Sequence, residues 1–311
     1  MGMIRVLTLQ GDRVAEVDVK LVNVGKANTW VDCIDPNVQE LRMLHERFDI
    51  PLSELQHCLD PDERPRVKAE DGMIYVYYRA LISQENKGTT PLTIILNKRF
   101  VISIHKQKIS AMSELDLNTD VMKTLFKEST EFLLYKILHT LGKETAKVVD
   151  EFESELDHVE SEVMKRCNDH TLTHVFNLKK KIVYFRRACI GDRDVLSVLI
   201  NDIPSVKEKG LFAEVEVELM QEIDSIELLR ERLTSIVEIY VTNTSNRINN
   251  VMKSITLLAT LLSFPILVTG LYGMNVALPL EGHPQAFWII TGLIILSVLT
   301  TIIFFARKKW L

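Results

Sequence analysis

Carboxylates are the groups of this 311-residue chain whose number and spacing bear most on chemistry. Asp150, Glu151, Glu153, Glu155, Asp157, Glu160 and Glu162 crowd one stretch, and Glu208, Glu214, Glu216, Glu218, Glu222, Asp224 and Glu227 crowd another. Runs of this kind form solvated helix faces. Clustered in an oligomer they also repel one another, and hard divalent cations with oxygen ligands relieve that repulsion. Amides form a second group: Asn243, Asn246, Asn249 and Asn250 open a helical face that continues through Met252, Thr256, Ala259, Ser263 and Ile266 at three- and four-residue steps. A third stretch, GLYGMNVALPLEGHPQAF from Gly270 to Phe287, combines Asn275 with one acid, Glu281, and one histidine, His283. His170 and His174 have the i, i+4 spacing of transition-metal ligands, but no third ligand accompanies them and a surface or packed pair is the expectation. There is no P-loop, no G-x-S-x-G and no persuasive Ser/His/Asp or Cys/His arrangement, so neither an enzyme nor a nucleotide-driven machine is expected.

The elements that must position these groups begin with two apolar runs. Between Ser254 and Phe305 Glu281 is the one charge, whereas charges recur every few positions before Asn250. Val251 to Leu271 and Ala286 to Ala306 are 21 residues each, about 30 Å of helix, the thickness of a hydrocarbon core. Neither has the polar face of a soluble core helix. Phe287 and Trp288 open the second run as interfacial aromatics, and Arg307, Lys308 and Lys309 close it. With Arg247 and Lys253 at the start of the first run and no basic residue in the connection, both ends of the chain face the cytoplasm and the connection faces outward. Pro265 removes a backbone donor and is expected to bend the first span. Two spans enclose no conduit, so conduction requires several chains around an axis, a cyclic homo-oligomer.

The preceding residues divide by pattern. MIRVLTL, VAEVDVKLV, TWVDCID, DGMIYVYYRALIS, PLTIILNK and RFVISIHK read as strands, with helices over 36–48 and 52–59. From Ser110 onward helical spacing takes over. Asn201 to Gly210 reads as a turn, and from Leu211 no glycine before Gly270 and no proline before Pro265 interrupts a helix of about 60 residues, on the order of 90 Å. The division is 1–110 (α/β part), 111–210 (helical part), 211–250 (stalk), 251–271 (first span), 272–285 (external connection), 286–306 (second span) and 307–311 (basic tail). Cys33, Cys58, Cys167 and Cys189 lie far apart without a C-x-x-C and suit packing in a reducing compartment. A net charge of −5 without a basic, aromatic-rich patch argues against nucleic acid as partner. The opening MGMIRVLTLQGDR has no apolar region of signal-peptide length.

YGMN, Tyr272 to Asn275, at the outer end of the first of two C-terminal spans, a terminal KKWL, HCLDPDERPRV at His57 to Val67, and VMKSITLLAT together resemble the CorA family of magnesium channels. The resemblance covers essentially the whole chain. It implies an α+β (αβα) cytoplasmic domain, long stalk helices and two C-terminal transmembrane helices in a funnel-shaped homopentamer of a cell inner membrane. It implies a selectivity filter of Gly273, Met274 and Asn275, and a pore lined by Asn249, Met252, Ile255, Ala259, Ser263 and Ile266, with Met252 and Ile255 as the constriction. Gly270 and Gly273 would let the chain turn and Tyr272 would pack. Glu214 resembles a regulatory metal-binding position, with a partner near Glu85. The acidic loop of some relatives is here VALPLEGHP, with Glu281 as its one carboxylate, and Ser263 and Ile266 stand where some relatives have Met and Thr.

The function so implied is passive uptake of Mg2+, with Co2+ and Ni2+ accompanying it. No cofactor is needed; Mg2+ is both substrate and regulatory ligand. Mg2+ dehydrates reluctantly, and a ring of amide oxygens can select it by hydrogen-bonding its water shell. A transporter of Zn2+ or another transition metal on the same scaffold, proton-coupled or not, is the alternative, followed by a membrane-anchored signalling protein.

Overall fold

The computed structural model describes residues 3–10, 13–22, 29–82, 88–117, 119–165, 169–280 and 282–308. It comprises two compact units, Met1–Ile236 and Val237–Leu311.

The first unit is built on seven strands: β1 (Met3–Gln10), β2 (Arg13–Glu16), β3 (Thr29–Ile34), β4 (Arg66–Glu70), β5 (Met73–Leu81), β6 (Thr89–Leu96) and β7 (Phe100–His105), in the order β2-β1-β3-β7-β6-β5-β4. Among the described residues only β3 and β7 run parallel. Every residue of β7 is buried, as a strand covered on both faces requires, and FVISIH is correspondingly apolar. Two sequence expectations change. The run VAEVDVKLV is strand only as far as Glu16, because Asp18 accepts from the Lys20 N–H (2.8 Å) and turns the chain. The strand expected from Asp71 begins instead at Met73: Asp71 and Gly72, with φ of 50° and 76°, form a two-residue hairpin turn to the additional strand β4.

Helices α1 (Val38–Phe48) and α2 (Leu52–His57) cover one face of the sheet. Asn37 starts α1 by accepting from the Gln39 and Glu40 N–H groups (2.9 and 3.1 Å), while Glu40 accepts from the Asn37 N–H (2.7 Å). Leu44, Phe48, Ile50 and Leu55 meet Val31, Cys33, Ile102 and Ile104 in the core. The alternate strand residues Trp30, Val101 and Ser103 are also buried and point to the opposite face. Beyond β7 follow α3 (Ser110–Leu117), α4 (Thr119–Lys127), α5 (Thr130–Lys165), α6 (Asp169–Asn201) and α7 (Lys209–Tyr272). Helix α6 docks on β4 and β5. There the Arg79 N–H donates to Asp192 Oδ1 (2.9 Å), and a Cβ on Gly191 would stand 2.8 Å from Pro65.

Within this unit α7 buries Phe212, Val215, Leu219, Ile226, Leu229, Leu233 and Ile236, alternate steps of three and four with one gap, which half-buried Glu222 fills. The seam lies against α5 and α6. Gly142 faces Val215, where an added Cβ would stand 3.9 Å away, Arg186 pairs with Glu227 (2.7 Å), and Arg232 bridges Asp157 and Glu160 (2.6 and 2.9 Å).

The second unit contains the rest of α7 and α8 (Ala286–Arg307). The first expected span lies wholly inside α7, which stays helical through Pro265; the second matches α8 to within one residue. The compact boundary falls at Ile236 rather than at the expected end of the stalk, because burial along the seam ends there while the helix continues.

Candidate functional site

In the second unit both helices expose large apolar side chains along their length, among them Leu258, Leu262, Leu267, Leu293, Leu296 and Ile303, a surface that water does not tolerate and a lipid core does. One stripe of α7 is half-buried: Lys253, Leu257, Leu261, Pro265 and Val268. At 3.6 residues per turn, Met252, Ile255, Ala259, Ser263 and Ile266 lie on the opposite side with Asn249 at its edge, and all six are exposed. The face with the amide and the small polar residue is exposed, as is the rest of the helix outside the stripe. Hydroxyls along α7 donate to their own helix, Thr260 to the Thr256 carbonyl (2.8 Å) and Ser263 to that of Thr260 (2.9 Å), which leaves the Ser263 oxygen free to accept.

The connection between the two apolar helices is held by hydrogen bonds within itself. The Gly273 N–H donates to the Thr269 carbonyl (2.9 Å), the Met274 N–H to that of Leu271 (3.2 Å), and the Tyr272 hydroxyl spans the turn to the Pro279 carbonyl (3.1 Å). Gly270 lies inside α7 and makes no turn, and the left-handed positions are Leu280 and Gly282, with φ of 73° and 85°. Gly273 has another reason to be glycine: an added Cβ would stand 3.2 Å from the Thr269 carbonyl oxygen. Met274 and Asn275 are exposed immediately beyond the helix end. His283 Nδ1 accepts from the Gln285 N–H (3.2 Å). Glu281 lies outside the described residues, as does Glu85.

The acidic stretches separate into two kinds. On α5, Glu155 faces His174 (3.2 Å) and Lys181, and Asp157 and Glu160 meet Arg232. His174 is thus a packed partner, and His170 is exposed. On α7, none of Glu214, Glu216, Glu218, Glu222 or Asp224 has a cationic side chain at salt-bridge distance among the described residues. Burial, then the charges of Asp150 and Glu218, push the Glu222 carboxyl above its ordinary range. Exposed Glu214 and half-buried Glu218 lie close enough to α5 to raise the Tyr135 phenol behind burial's larger effect. Burial, then Lys143 and Lys136, hold His139 below the ordinary histidine range against the pull of those two acids. Among the described residues no three His, Cys, Asp or Glu side chains form a ready metal centre within one chain.

A mixed sheet with long helices, together with two helices long and apolar enough to cross a membrane, is the architecture of an integral membrane protein. The chain matches the family described as CorA-like Mg2+ transporter protein over residues 25–308, and it belongs to that family. It is 31% identical over 288 residues to the cobalt/magnesium transport protein CorA of Methanocaldococcus jannaschii, covering 91% of both chains. The complete structure of the CorA magnesium transporter from that organism superposes with a TM-score of 0.89 at 28% identity, over 99% of each chain. The structure of the soluble domain of that protein matches with a TM-score of 0.69 at 27% identity, over 76% of this chain and 96% of its own.

Proposed function

We propose that this chain is the subunit of a homopentameric channel that admits Mg2+, with Co2+ and Ni2+, passively into the cytoplasm across the cell inner membrane, both chain ends lying inside. The observation that carries the reading is the open face of α7, where Met252, Ile255, Ala259, Ser263 and Ile266, with Asn249 at the edge, stand opposite the half-buried stripe. Copies of that face around an axis make a narrow path that ends at Gly273, Met274 and Asn275. Amide oxygens at its mouth hydrogen-bond a hydrated cation without stripping its waters. Met252 and Ile255 form an apolar constriction that shuts by excluding water.

Control comes from the carboxylates of α7 that lack cations of their own, with Glu214 as the regulatory ligand and Glu85 as the position to test for its partner. Mg2+ that binds them better in the closed assembly shifts the population toward closure, and depletion releases it. The deciding experiment is flux through purified protein in liposomes, comparing Mg2+, Co2+, Ni2+ and Zn2+ with and without a pH gradient. Mg2+ flux independent of the gradient is the expected result. Zn2+ flux that requires a gradient replaces this reading with proton-coupled zinc transport, and no flux of any cation overturns transport.

A further inference from the structure

The last residue of β7 is a buried titratable group that the ion path does not use. His105 is 1% exposed, and its two ring nitrogens face two different parts of the first unit. Nε2 lies 3.0 Å from Asp32 Oδ1 on β3, and Nδ1 lies 2.6 Å from the carbonyl oxygen of Gln107, in the connection that leads into α3. A carbonyl oxygen only accepts, so Nδ1 carries a proton. Asp32 Oδ1 accepts as well. The Trp30 indole N–H donates to Ser103 Oγ (3.0 Å), and the Ser103 hydroxyl in turn donates to Asp32 Oδ1 (2.5 Å), which is nearer than the Val31 carbonyl (3.5 Å). Nε2 is therefore a donor too, and the ring is an imidazolium paired with a carboxylate. Burial opposes that charge, but the bond to Asp32, its charge and the Gln107 carbonyl outweigh burial and hold His105 above the ordinary histidine range.

Asp32 is the charge that bears on the ring. A cavity of about 220 Å3 along the face of β1 and β3 opens beside it. The other charged side chains on the cavity lining are Arg5 of β1, paired with Glu16 (3.2 Å), and exposed Lys108 of the connection. Helix α3 contributes Met112 and Ser113, neither of which titrates near neutral pH. Loss of the ring proton leaves one N–H for two acceptors. The carboxylate keeps it, because a hydrogen bond to a charged acceptor is the stronger. The Nδ1 lone pair then faces the Gln107 oxygen at hydrogen-bond distance, and the two repel. The strand side is fixed, since the His105 carbonyl accepts from the Asp35 N–H (2.9 Å) and every residue of β7 is buried. The connection is the side that can move: it borders the cavity and carries exposed Lys106, Gln107 and Lys108.

We propose that protonated His105 is a latch that fastens the β7–α3 connection to the sheet, and that its deprotonation at alkaline pH releases residues 106–109 and the first turn of α3. The sign follows from a folded value that is raised. The latch is fully present below the ordinary histidine pKa of about 6.5 and is lost as pH rises through the folded value. Release reaches beyond the connection, because α3 packs on α5, the helix that carries part of the α7 seam.

Hydrogen–deuterium exchange of the full-length protein in detergent, read by mass spectrometry from about pH 6 to about pH 9.5, tests the latch. After correction for the intrinsic pH dependence of exchange, protection of residues 106–113 falls at least tenfold in a step above the ordinary histidine pKa, while residues 100–105 of β7 stay protected. His105→Gln cannot titrate, and its profile over 106–113 is flat. Asp32→Asn removes the charge that holds the proton and moves the step down by about one pH unit or more. A flat profile in the parent overturns the latch whether or not either variant folds. So does a step in which β7 opens together with the connection, a step that survives His105→Gln, or a midpoint that Asp32→Asn leaves in place.

Discussion

Asn275 is the side chain on which the channel reading turns, because it is the exposed amide at the end of the open face. Asn275→Ala removes the oxygen that would hold the water shell while leaving the backbone bonds of Gly273 and Met274 in place. Mg2+ flux into liposomes should fall at least tenfold; flux within twofold of the parent would remove Asn275 from the filter. On the same proposal Glu214 acts in control rather than conduction. Glu214→Ala should raise the cytoplasmic Mg2+ needed for half-inhibition by about threefold or more with maximal flux retained, and an unaltered dose response returns the residue to plain solvated surface. Asp192 supplies a test of the fold. It is buried, and burial pushes its carboxyl well above the ordinary range against the Arg79 N–H bond and charge. The folded chain therefore holds this proton more tightly than the unfolded one. The cost is absent below the ordinary carboxylate pKa of about 3.9 and grows as pH rises above it, up to the folded value. Asp192→Asn keeps an acceptor for Arg79, so the thermal midpoint of the variant should fall less between pH 4 and pH 7 than that of the parent, and parallel midpoint curves would refute the assignment.

At the scale of elements, the covered and open sides of α7 make opposite predictions. Cysteine introduced at Ala259 or Ser263 should be modified by a charged, water-soluble thiol reagent that then blocks flux. Cysteine at Leu257 or Leu261, on the half-buried stripe, should leave flux unaffected by the same reagent. Native Cys33, Cys58 and Cys189 are buried and do not compete, and Cys167, outside the described residues, is replaced by serine in the parent used for the test. Equal block from both sides of the helix would show that the open face is not the path. Most of this face follows from steps of three and four through Met252, Thr256, Ala259, Ser263 and Ile266, whereas Ile255 came from the family resemblance. The spans were legible because their charges are missing. The edge strand β4 was not, since RVKAE carries little apolar content and is recognised as strand only through its hairpin with β5. The need for glycine at position 273 was hidden for a different reason: it arises from the Thr269 carbonyl, an approach that no residue pattern encodes. The acidic stretches read alike in sequence, and only packing against Arg232 and His174 separates the answered carboxylates from those of the α7 start.

The whole molecule is two units that share one helix, and they differ in what stabilises them. The sheet core and the α7 seam as far as Ile236 lie in the first, whereas the second exposes apolar side chains along both of its helices. A chain cut after Ile236 keeps every buried residue of the seam and loses both spans, so folding and the need for lipid should separate at that point. The 1–236 fragment is expected to stay in solution without detergent and to unfold in one cooperative transition, the behaviour of a unit with its own core. Glu222 gives an internal check on that unit, because it is the one carboxylate within an otherwise apolar seam and it faces the charges of Asp150 and Glu218. Replacing it with leucine removes like-charge repulsion and fills a seam position. The fragment carrying Glu222→Leu should therefore melt higher than its parent at pH 7, with the difference shrinking toward pH 4 as the carboxylates protonate. Thermal unfolding followed by circular dichroism measures both claims. A fragment that aggregates without detergent would show that the first unit depends on the spans, and a Glu222→Leu midpoint at or below that of the parent would show that the acid stabilises the seam.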